Sequence, residues 1–280
     1  MNSFDYSIIT SLNVLARQSL LFDGLTVNIV QNYFLKGGVI MALFWWAWFA
    51  GEAKGISPAL SKAMGDKEQR DKKKAMGRGE ENKPGVSLKS SGMVNPSIAG
   101  AEARVKLVAA AVGSILSLFA ARLLAMALPF RPRPVVHPDF TEMQWPYLVT
   151  MENFGRLDNW SSFPSDHAAL FFALAFGLLF VSPMMGIFAC IYVSLVICMP
   201  RIYAGFHYPT DILAGILIAG IFAYVLQLKP VRNDVTGPFI RWLEGHPASF
   251  YAGAFLFCFL IGTLFDDVRN MGTLIWSILK

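Results

Sequence analysis

Residues 107–129 read LVAAAVGSILSLFAARLLAMALP, a stretch of 23 residues in which Arg122 is the only charged side chain. A helix of this length is long enough to cross the hydrocarbon core of a bilayer, which is roughly 30 Å thick. Five further apolar runs occupy residues 33–50, 165–181, 183–199, 211–228 and 249–265. The chain is 55% hydrophobic and only 15% charged, a composition typical of membrane proteins. The sequence therefore predicts an all-α integral membrane protein, a bundle of six transmembrane helices.

Residues 1–32 precede the first predicted span and have a different pattern. Apolar residues at positions 8, 9, 12, 15 and 16 share one side of a helix, whereas Asn13, Arg17 and Gln18 interrupt any spanning stretch. We therefore predict an N-terminal interfacial helix within residues 1–32. In the first span, at 33–50, Lys36 near one end is interpreted as an anchor at the membrane surface.

The distribution of basic residues predicts the topology. Twelve of the 24 Lys and Arg residues lie within residues 51–106, a polar stretch that reads as a flexible loop. Because basic loops stay in the cytoplasm, this loop and the connection after residue 228 are expected inside. The chain then divides into a transmembrane core at 107–228 and a segment at 229–280 with the connection, the last span and a tail. The net charge of +5 reflects this basic loop, so we do not predict nucleic-acid binding.

On this topology, residues 130–164 and 200–210 emerge together on the outer face, and both carry polar motifs. The first motif is Phe130-Arg131-Pro132-Arg133-Pro134, at the end of the span that contains Arg122. An arginine at the centre of a bilayer costs at least about 2.5 kcal/mol, so arginines in and beside a span indicate function by default. The alternative is that Arg131 and Arg133 only anchor the helix end among lipid headgroups.

The second motif is Phe163-Pro164-Ser165-Asp166-His167, which an apolar helix follows directly. We expect Ser165 at the N-cap and Asp166 in the first turn. Unpaired backbone N–H groups and the helix dipole favour an anion such as phosphate at this position. An ordinary capped helix with an incidental histidine would have the same sequence.

The third motif runs from Arg201 to Asp211, with His207 four residues before Asp211. This spacing brings two side chains together on a helix, so Asp211 is expected to accept a hydrogen bond from one ring nitrogen of His207. The other nitrogen is then left unprotonated, as a nucleophile requires. No group of Cys, His and carboxylate residues has the spacing of metal ligands, so we predict no metal and no cofactor.

These three motifs resemble the signature of the type 2 phosphatidic acid phosphatase superfamily, K-x6-R-P, P-S-G-H and S-R-x5-H-x3-D. Pro200 stands where the family has the last serine, Asp166 where it has glycine, and no lysine lies seven residues before either Arg131 or Arg133. The resemblance implies a membrane lipid phosphatase with His207 as nucleophile, Asp211 as its orienting partner and His167 as general acid. It also implies a phosphate-binding group that comprises Arg201, Arg131, Arg133, Arg122, Ser165 and Asp166.

The expected partners are the bilayer and a lipid substrate, and the expected location is a bacterial inner membrane with the site on the outer face. The Phe-Pro-Ser-Asp-His form of the second motif is similar to that of bacterial undecaprenyl diphosphate phosphatases, which favours a polyprenyl diphosphate. Phosphatidylglycerol phosphate, phosphatidic acid and a lipid phosphotransferase reaction are the enzymatic alternatives. A transporter or scaffold for anionic lipids is the non-enzymatic one. Trp145, Tyr147 and Trp160 are interpreted as interfacial aromatics that also suit a lipid entrance.

Overall fold

The computed structural model describes residues 2–50, 96–146, 160–265 and 271, and these form helices and turns without a strand. The described helices are α1 (Ser3–Asn13), α2 (Leu20–Gln31), α3 (Phe34–Ala50), α4 (Pro96–Ala127), α5 (Asp166–Leu179), α6 (Pro183–Tyr203), α7 (Pro209–Gln227), α8 (Lys229–Gly245) and α9 (Pro247–Gly262). Two 3-10 turns, Pro134–Val136 and Pro138–Phe140, follow α4. The predicted all-α class is confirmed for this part of the chain. The predicted loop at 51–106 lies outside the described residues up to residue 95.

Three of these helices are long and apolar enough to cross a membrane, namely α4 over Gly100–Ala127, α6 and α7. A fourth crossing is possible if α2 and α3, which meet at an angle of 66°, act as one broken span. Helices α5 and α9 are apolar but have only 14 and 16 residues, fewer than the roughly 20 that a span usually needs. The helices are thus compatible with an integral membrane protein, while the prediction of six spans is not confirmed.

The chain divides into two compact units, and the motifs lie in the first, which comprises Met1–Phe44 and Val105–Lys280. The second unit, Trp45–Arg104, is described only at its two ends. There Trp45 stacks on Phe49 with ring centroids 5.8 Å apart, and the Arg104 guanidinium lies over the Trp48 ring.

The N-terminal segment forms two helices instead of one interfacial helix, so that prediction is not confirmed. Residues 14–19 interrupt the helix, and Arg17 has a φ of 62°. Ile9 on α1 is buried in a cluster with Phe140, Trp145 and Tyr208, and is only 1% exposed. Ile9 and Ala16, on the side for which membrane contact was predicted, are therefore packed on the protein's own chain, whereas Leu15 on the same side is 48% exposed.

Helices α5 and α7 pack closely at the ends that carry the second and third motifs. Gly215 on α7 makes this possible, because a Cβ atom there would lie 2.6 Å from the Ser165 carbonyl oxygen and 2.7 Å from Ala168 Cβ. The Ser165 amide also donates a hydrogen bond to the Asp211 carbonyl oxygen at 3.1 Å. The starts of the two helices are thereby fixed to each other.

Candidate active site

The loop between α6 and α7 places His207 in the interior. Gly205 has a φ of +73°, which favours glycine, and a Cβ atom there would lie 2.6 Å from the Trp145 ring. The turn is also bonded to the chain after α4, because the Val135 amide donates to the Gly205 carbonyl oxygen at 2.9 Å. As a result, the segments that hold the first and third motifs lie together, as the sequence predicted.

The ring of His207 is fixed through Nδ1 and is only 3% exposed. Nδ1 lies 2.9 Å from the Ser162 carbonyl oxygen and 3.5 Å from Asp211 Oδ2. Because a carbonyl oxygen only accepts, Nδ1 carries the proton and Nε2 holds the free lone pair. Asp211 is thus beside His207 as predicted, but the closer acceptor is the Ser162 carbonyl. No side-chain pattern in the sequence indicates a backbone acceptor.

Asp211 reaches His207 by a different local structure from the one that we expected. His207 is not on a helix, since α7 begins at Pro209 with Tyr208 as its N-cap residue. Asp211 Oδ2 accepts from the Tyr208 amide at 2.8 Å, and Asp211 Oδ1 accepts from Arg131 Nη1 at 2.6 Å. The fully buried carboxylate is therefore held by the Tyr208 amide and by Arg131, and these contacts fix its position beside His207.

His167 is held by a second carboxylate and a second arginine. Ser165 is the N-cap of α5 and Asp166 lies in its first turn, as the sequence predicted. Asp166 Oδ1 lies 2.8 Å from His167 Nδ1, while Asp166 Oδ2 lies 2.5 Å from Arg122 Nη2. The structure therefore places Arg122 and Asp166 in one chain of contacts that ends at His167.

Arg133 has a buried donor without a partner. Its Nη1 donates to the Phe206 carbonyl oxygen at 2.7 Å, whereas its Nε is buried and has no hydrogen-bond partner among the described residues. Ser162 Oγ is unpartnered in the same way. Burial lowers the pKa of Arg133, and the nearby carboxylates Asp166 and Asp211 act in the opposite direction. Buried polar groups are normally satisfied, so these two atoms are able to form hydrogen bonds with an anion that binds beside them.

Two further cations lie close to His167. Arg201 is 3% exposed and donates from Nη1 to the Ile197 carbonyl oxygen at 2.5 Å and from Nη2 to the Val30 carbonyl oxygen at 3.5 Å. Lys36, which we interpreted as a surface anchor, is instead 6% exposed, with its Nζ 4.2 Å from the centre of the Tyr33 ring. The charges of both residues act on His167. Lys36 lies outside the motifs, and nothing in its local sequence indicates this position.

The two histidines and Asp166 come close together. Each offers a ligand atom, and these atoms lie within 4.8 Å of one another, a spacing that would also suit a metal ion. However, Asp166 is paired with Arg122, and the surrounding side chains include Arg133 and Arg201. This excess of positive charge fits an anion better than a cation.

Burial lowers the pKa of His207 below its ordinary value of 6.5, and Arg133 acts in the same direction, while the hydrogen bond to Asp211 opposes them. The ring is therefore neutral near pH 7. A neutral imidazole with Nδ1 protonated is the form in which Nε2 attacks an electrophile.

The predicted aromatic residues have different positions. Trp145 is buried against Gly205 and the Ile9 cluster, so its interpretation as an interfacial residue is wrong. Trp160 is 46% exposed, and the Arg122 guanidinium lies 5.3 Å from its ring centre. Tyr147 lies outside the described residues.

Residues 106–233 match the family model for the PAP2 superfamily. This region belongs to the PAP2 superfamily. The resemblance to the type 2 phosphatidic acid phosphatases is thereby confirmed, and every site residue predicted from the motifs lies within the matched region of the chain. PAP2 proteins are phosphatase-type hydrolases that act on phosphate esters, commonly those of lipids. No curated protein and no solved structure matches the chain.

Proposed function

We propose that this PAP2 protein is a metal-independent membrane lipid phosphatase that works through a phosphohistidine on His207. The single observation that carries the proposal is the arrangement of the two histidines. His167 lies in the first turn of α5 and His207 in the loop before α7, their ligand atoms lie within 4.8 Å of each other, and each has a carboxylate beside Nδ1. Two fixed imidazoles next to unpartnered buried donors suit phosphoryl transfer, which depends on positioning and on stabilisation of charge.

The reaction has two displacements at phosphorus. In the first, the lone pair of His207 Nε2 forms an N–P bond with the terminal phosphorus, and the bond from that phosphorus to the leaving oxygen breaks. The leaving group is a lipid phosphate from a diphosphate or a lipid alcohol from a monoester, and its oxygen takes a proton from His167. In the second, water attacks phosphorus and gives its proton to His167, while the N–P bond breaks and phosphate is released. The reaction is complete without an additional reactant.

Phosphate binding is assigned to the cations and donors that surround the two rings. Arg133 Nε and Ser162 Oγ have no other partner among the described residues, and Arg201 contributes charge close to His167. Ser165 is the N-cap of α5 and so places the helix start, whose backbone N–H groups favour an anion, beside the two rings. In this proposal Arg122 acts through Asp166, and Arg131 acts through Asp211, because each guanidinium is already bonded to that carboxylate.

The surroundings of the site favour a lipid substrate. Exposed apolar side chains lie near Arg122. Met126 and Phe130, at and just after the end of α4, are 77% and 57% exposed, and Trp160, whose ring lies under the Arg122 guanidinium, is 46% exposed. Exposed apolar side chains beside a cationic site suit a substrate with a phosphate at the membrane surface and a tail in the bilayer. We propose a polyprenyl diphosphate such as undecaprenyl diphosphate, in a bacterial inner membrane of six-span topology, with the site on the outer face.

Phosphate release from detergent-purified protein tests the proposal. The substrates are a polyprenyl diphosphate, phosphatidylglycerol phosphate and phosphatidic acid, each with and without a chelator. We expect turnover that the chelator does not change, with the polyprenyl diphosphate preferred. His207→Ala should lower turnover at least about 10³-fold, whereas the matched control His246→Ala, at an exposed residue, should behave as wild type. Full turnover by His207→Ala, or loss of activity with the chelator, would refute the mechanism.

Trapping distinguishes hydrolysis from transfer. With labelled nitrophenyl phosphate, whose leaving group departs without a proton, His167→Ala should still form the intermediate but lack the base for its hydrolysis. Label should therefore accumulate on the protein in a form stable to base and labile to acid, as expected for phosphohistidine. Addition of a lipid alcohol should leave free phosphate as the product. Label recovered on the alcohol instead would identify a phosphotransferase.

A further inference from the structure

Asp5 lies outside the matched family region, yet it contacts the residues that hold the nucleophile. It is on α1, is completely buried, and accepts from the Thr210 amide at 2.9 Å and from Thr210 Oγ1 at 2.7 Å. It also accepts from Arg131 Nη2 at 2.7 Å and from Asn2 Nδ2 at 3.0 Å. Four donors on one buried carboxylate are more than the docking of an apolar helix requires.

Arg131 connects Asp5 to the catalytic pair. One side of its guanidinium contacts Asp5, the other contacts Asp211 Oδ1 at 2.6 Å, and its Cζ atom lies 3.8 Å from the centre of the Tyr208 ring. The Arg131 side chain is therefore fixed on three sides. An arginine fork that joins two carboxylates has two charged hydrogen bonds of fixed geometry.

The charges of this group explain why a second carboxylate is needed. Asp211 supports positive charge on the His207 ring, which increases when Nε2 bonds to phosphorus. Arg131 alone would neutralise Asp211 and weaken that support. With Asp5 present, two carboxylates share one guanidinium, so one net negative charge stays beside His207.

Asp5 is in the charged form that this role requires. Burial acts to raise its pKa, but the hydrogen bonds from Thr210 and the contact with Arg131 outweigh burial, and the pKa lies below the ordinary value of 3.8. The carboxylate is thus ionised at neutral pH.

We propose that Asp5 is a positioning residue for the phosphatase reaction, which sets the charge and orientation of Asp211, and thereby of His207, through Arg131 and Thr210. The inference rests on the proposed function. It makes α1 a part of the active site, although this helix precedes the family region by about 90 residues.

The test compares Asp5→Asn with Asp23→Asn. Asp23 is an equally buried carboxylate in the same N-terminal segment, but it accepts from the Arg17 amide and the Tyr203 hydroxyl and does not contact Arg131. We expect Asp5→Asn to lower kcat roughly 10- to 100-fold, the effect of weakening one charged hydrogen bond in the transition state. KM should change less than threefold, because Asp5 does not contact the substrate. Both substitutions should lower the Tm by a similar amount, because both carboxylates are buried, but Asp23→Asn should lower kcat less than threefold.

A second comparison, in the Arg131→Gln background, separates charge positioning from general destabilisation. Without the guanidinium there is no charge for Asp5 to offset, so Asp5→Asn should then change kcat less than threefold. Equal losses of kcat in Asp5→Asn and Asp23→Asn, or full additivity with Arg131→Gln, would overturn the inference and leave the phosphatase intact. An inactive wild-type protein would overturn the proposed function and the inference together.

Discussion

The substitution Asp166→Asn tests the role of His167 as the general acid. Asp166 Oδ1 faces two donors, His167 Nδ1 at 2.8 Å and the His167 amide at 2.7 Å, while Oδ2 faces Arg122 Nη2 at 2.5 Å. An asparagine has one oxygen and one NH2 group, so it can satisfy only one of these sides. If its oxygen faces Arg122, its NH2 group donates to His167 Nδ1.

That orientation removes the acid form of His167. To give up a proton from Nε2 and end as a neutral ring, His167 must also carry a proton on Nδ1, and an NH2 group at that position excludes it. General acid catalysis contributes about 10²- to 10⁴-fold, or roughly 3–5 kcal/mol. In the opposite orientation the NH2 group of the asparagine faces Arg122, and the charged hydrogen bond between residue 166 and Arg122 is lost instead. We therefore expect kcat to fall about 10²- to 10⁴-fold with phosphatidic acid, a phosphate monoester whose leaving group is an alcohol.

The assay compares two leaving groups. The two substrates are phosphatidic acid and nitrophenyl phosphate. The alcohol that leaves from phosphatidic acid needs a proton, whereas nitrophenolate leaves readily without one, so the loss with nitrophenyl phosphate should be about tenfold or less. KM should not rise, because removal of a negative charge does not weaken phosphate binding. Asp139→Asn, at a side chain that is 54% exposed, is the matched control. Equal losses with both substrates, or a kcat within threefold of wild type, would refute the role given to His167.

Three further predictions concern other parts of the site. Burial lowers the pKa of His207, so its neutral, nucleophilic form persists at acidic pH. The acidic limb of the pH profile of kcat/KM should therefore lie below pH 6.5, after correction for the substrate phosphate pKa of about 6. A limb above pH 6.5 would contradict this. Arg133→Gln should weaken inhibition by orthovanadate about 10- to 100-fold, and an unchanged inhibition constant, as expected for the exposed Arg241→Gln control, would show that Arg133 does not bind the anion. Gly205→Ala should lower the free energy of unfolding by at least about 2 kcal/mol, because of its positive φ and its contact with Trp145; a wild-type Tm in thermal unfolding would argue against this.

The parts of the site that the sequence predicted are encoded locally. Ser165 and Asp166 mark a helix start by residue type alone, and the structure has that start at the same residues. His207 and Asp211 are four residues apart, which keeps them close whether the chain is a helix or, as found, a turn followed by a helix cap. Local spacing therefore predicted their proximity although the expected local structure was wrong.

The parts that the sequence did not predict depend on contacts between distant residues. Asp5 is 126 residues from Arg131 and 205 from Thr210, and the Ser162 carbonyl is 45 residues from His207. A lone aspartate on an amphipathic helix and a backbone oxygen have no distinctive local pattern. The prediction of one N-terminal interfacial helix is not confirmed for a related reason, since an apolar helix side has the same sequence pattern whether it packs on lipid or on protein.

The two histidines have similar supports with one difference, and the difference matches their proposed roles. Each has a carboxylate beside Nδ1 that is paired with an arginine, Asp166 with Arg122 and Asp211 with Arg131. Among the residues that the structure describes, an additional carboxylate, Asp5, is bonded to the arginine on the His207 side and none to Arg122. The nucleophile gains positive charge when it bonds to phosphorus, so additional negative charge beside it lowers the barrier. The general acid must release a proton, and a second carboxylate beside it would hold that proton more tightly. An additional carboxylate should therefore have opposite effects on kcat at the two rings. Asp5 beside Arg131 raises kcat, whereas an acidic residue introduced beside Arg122 should lower it.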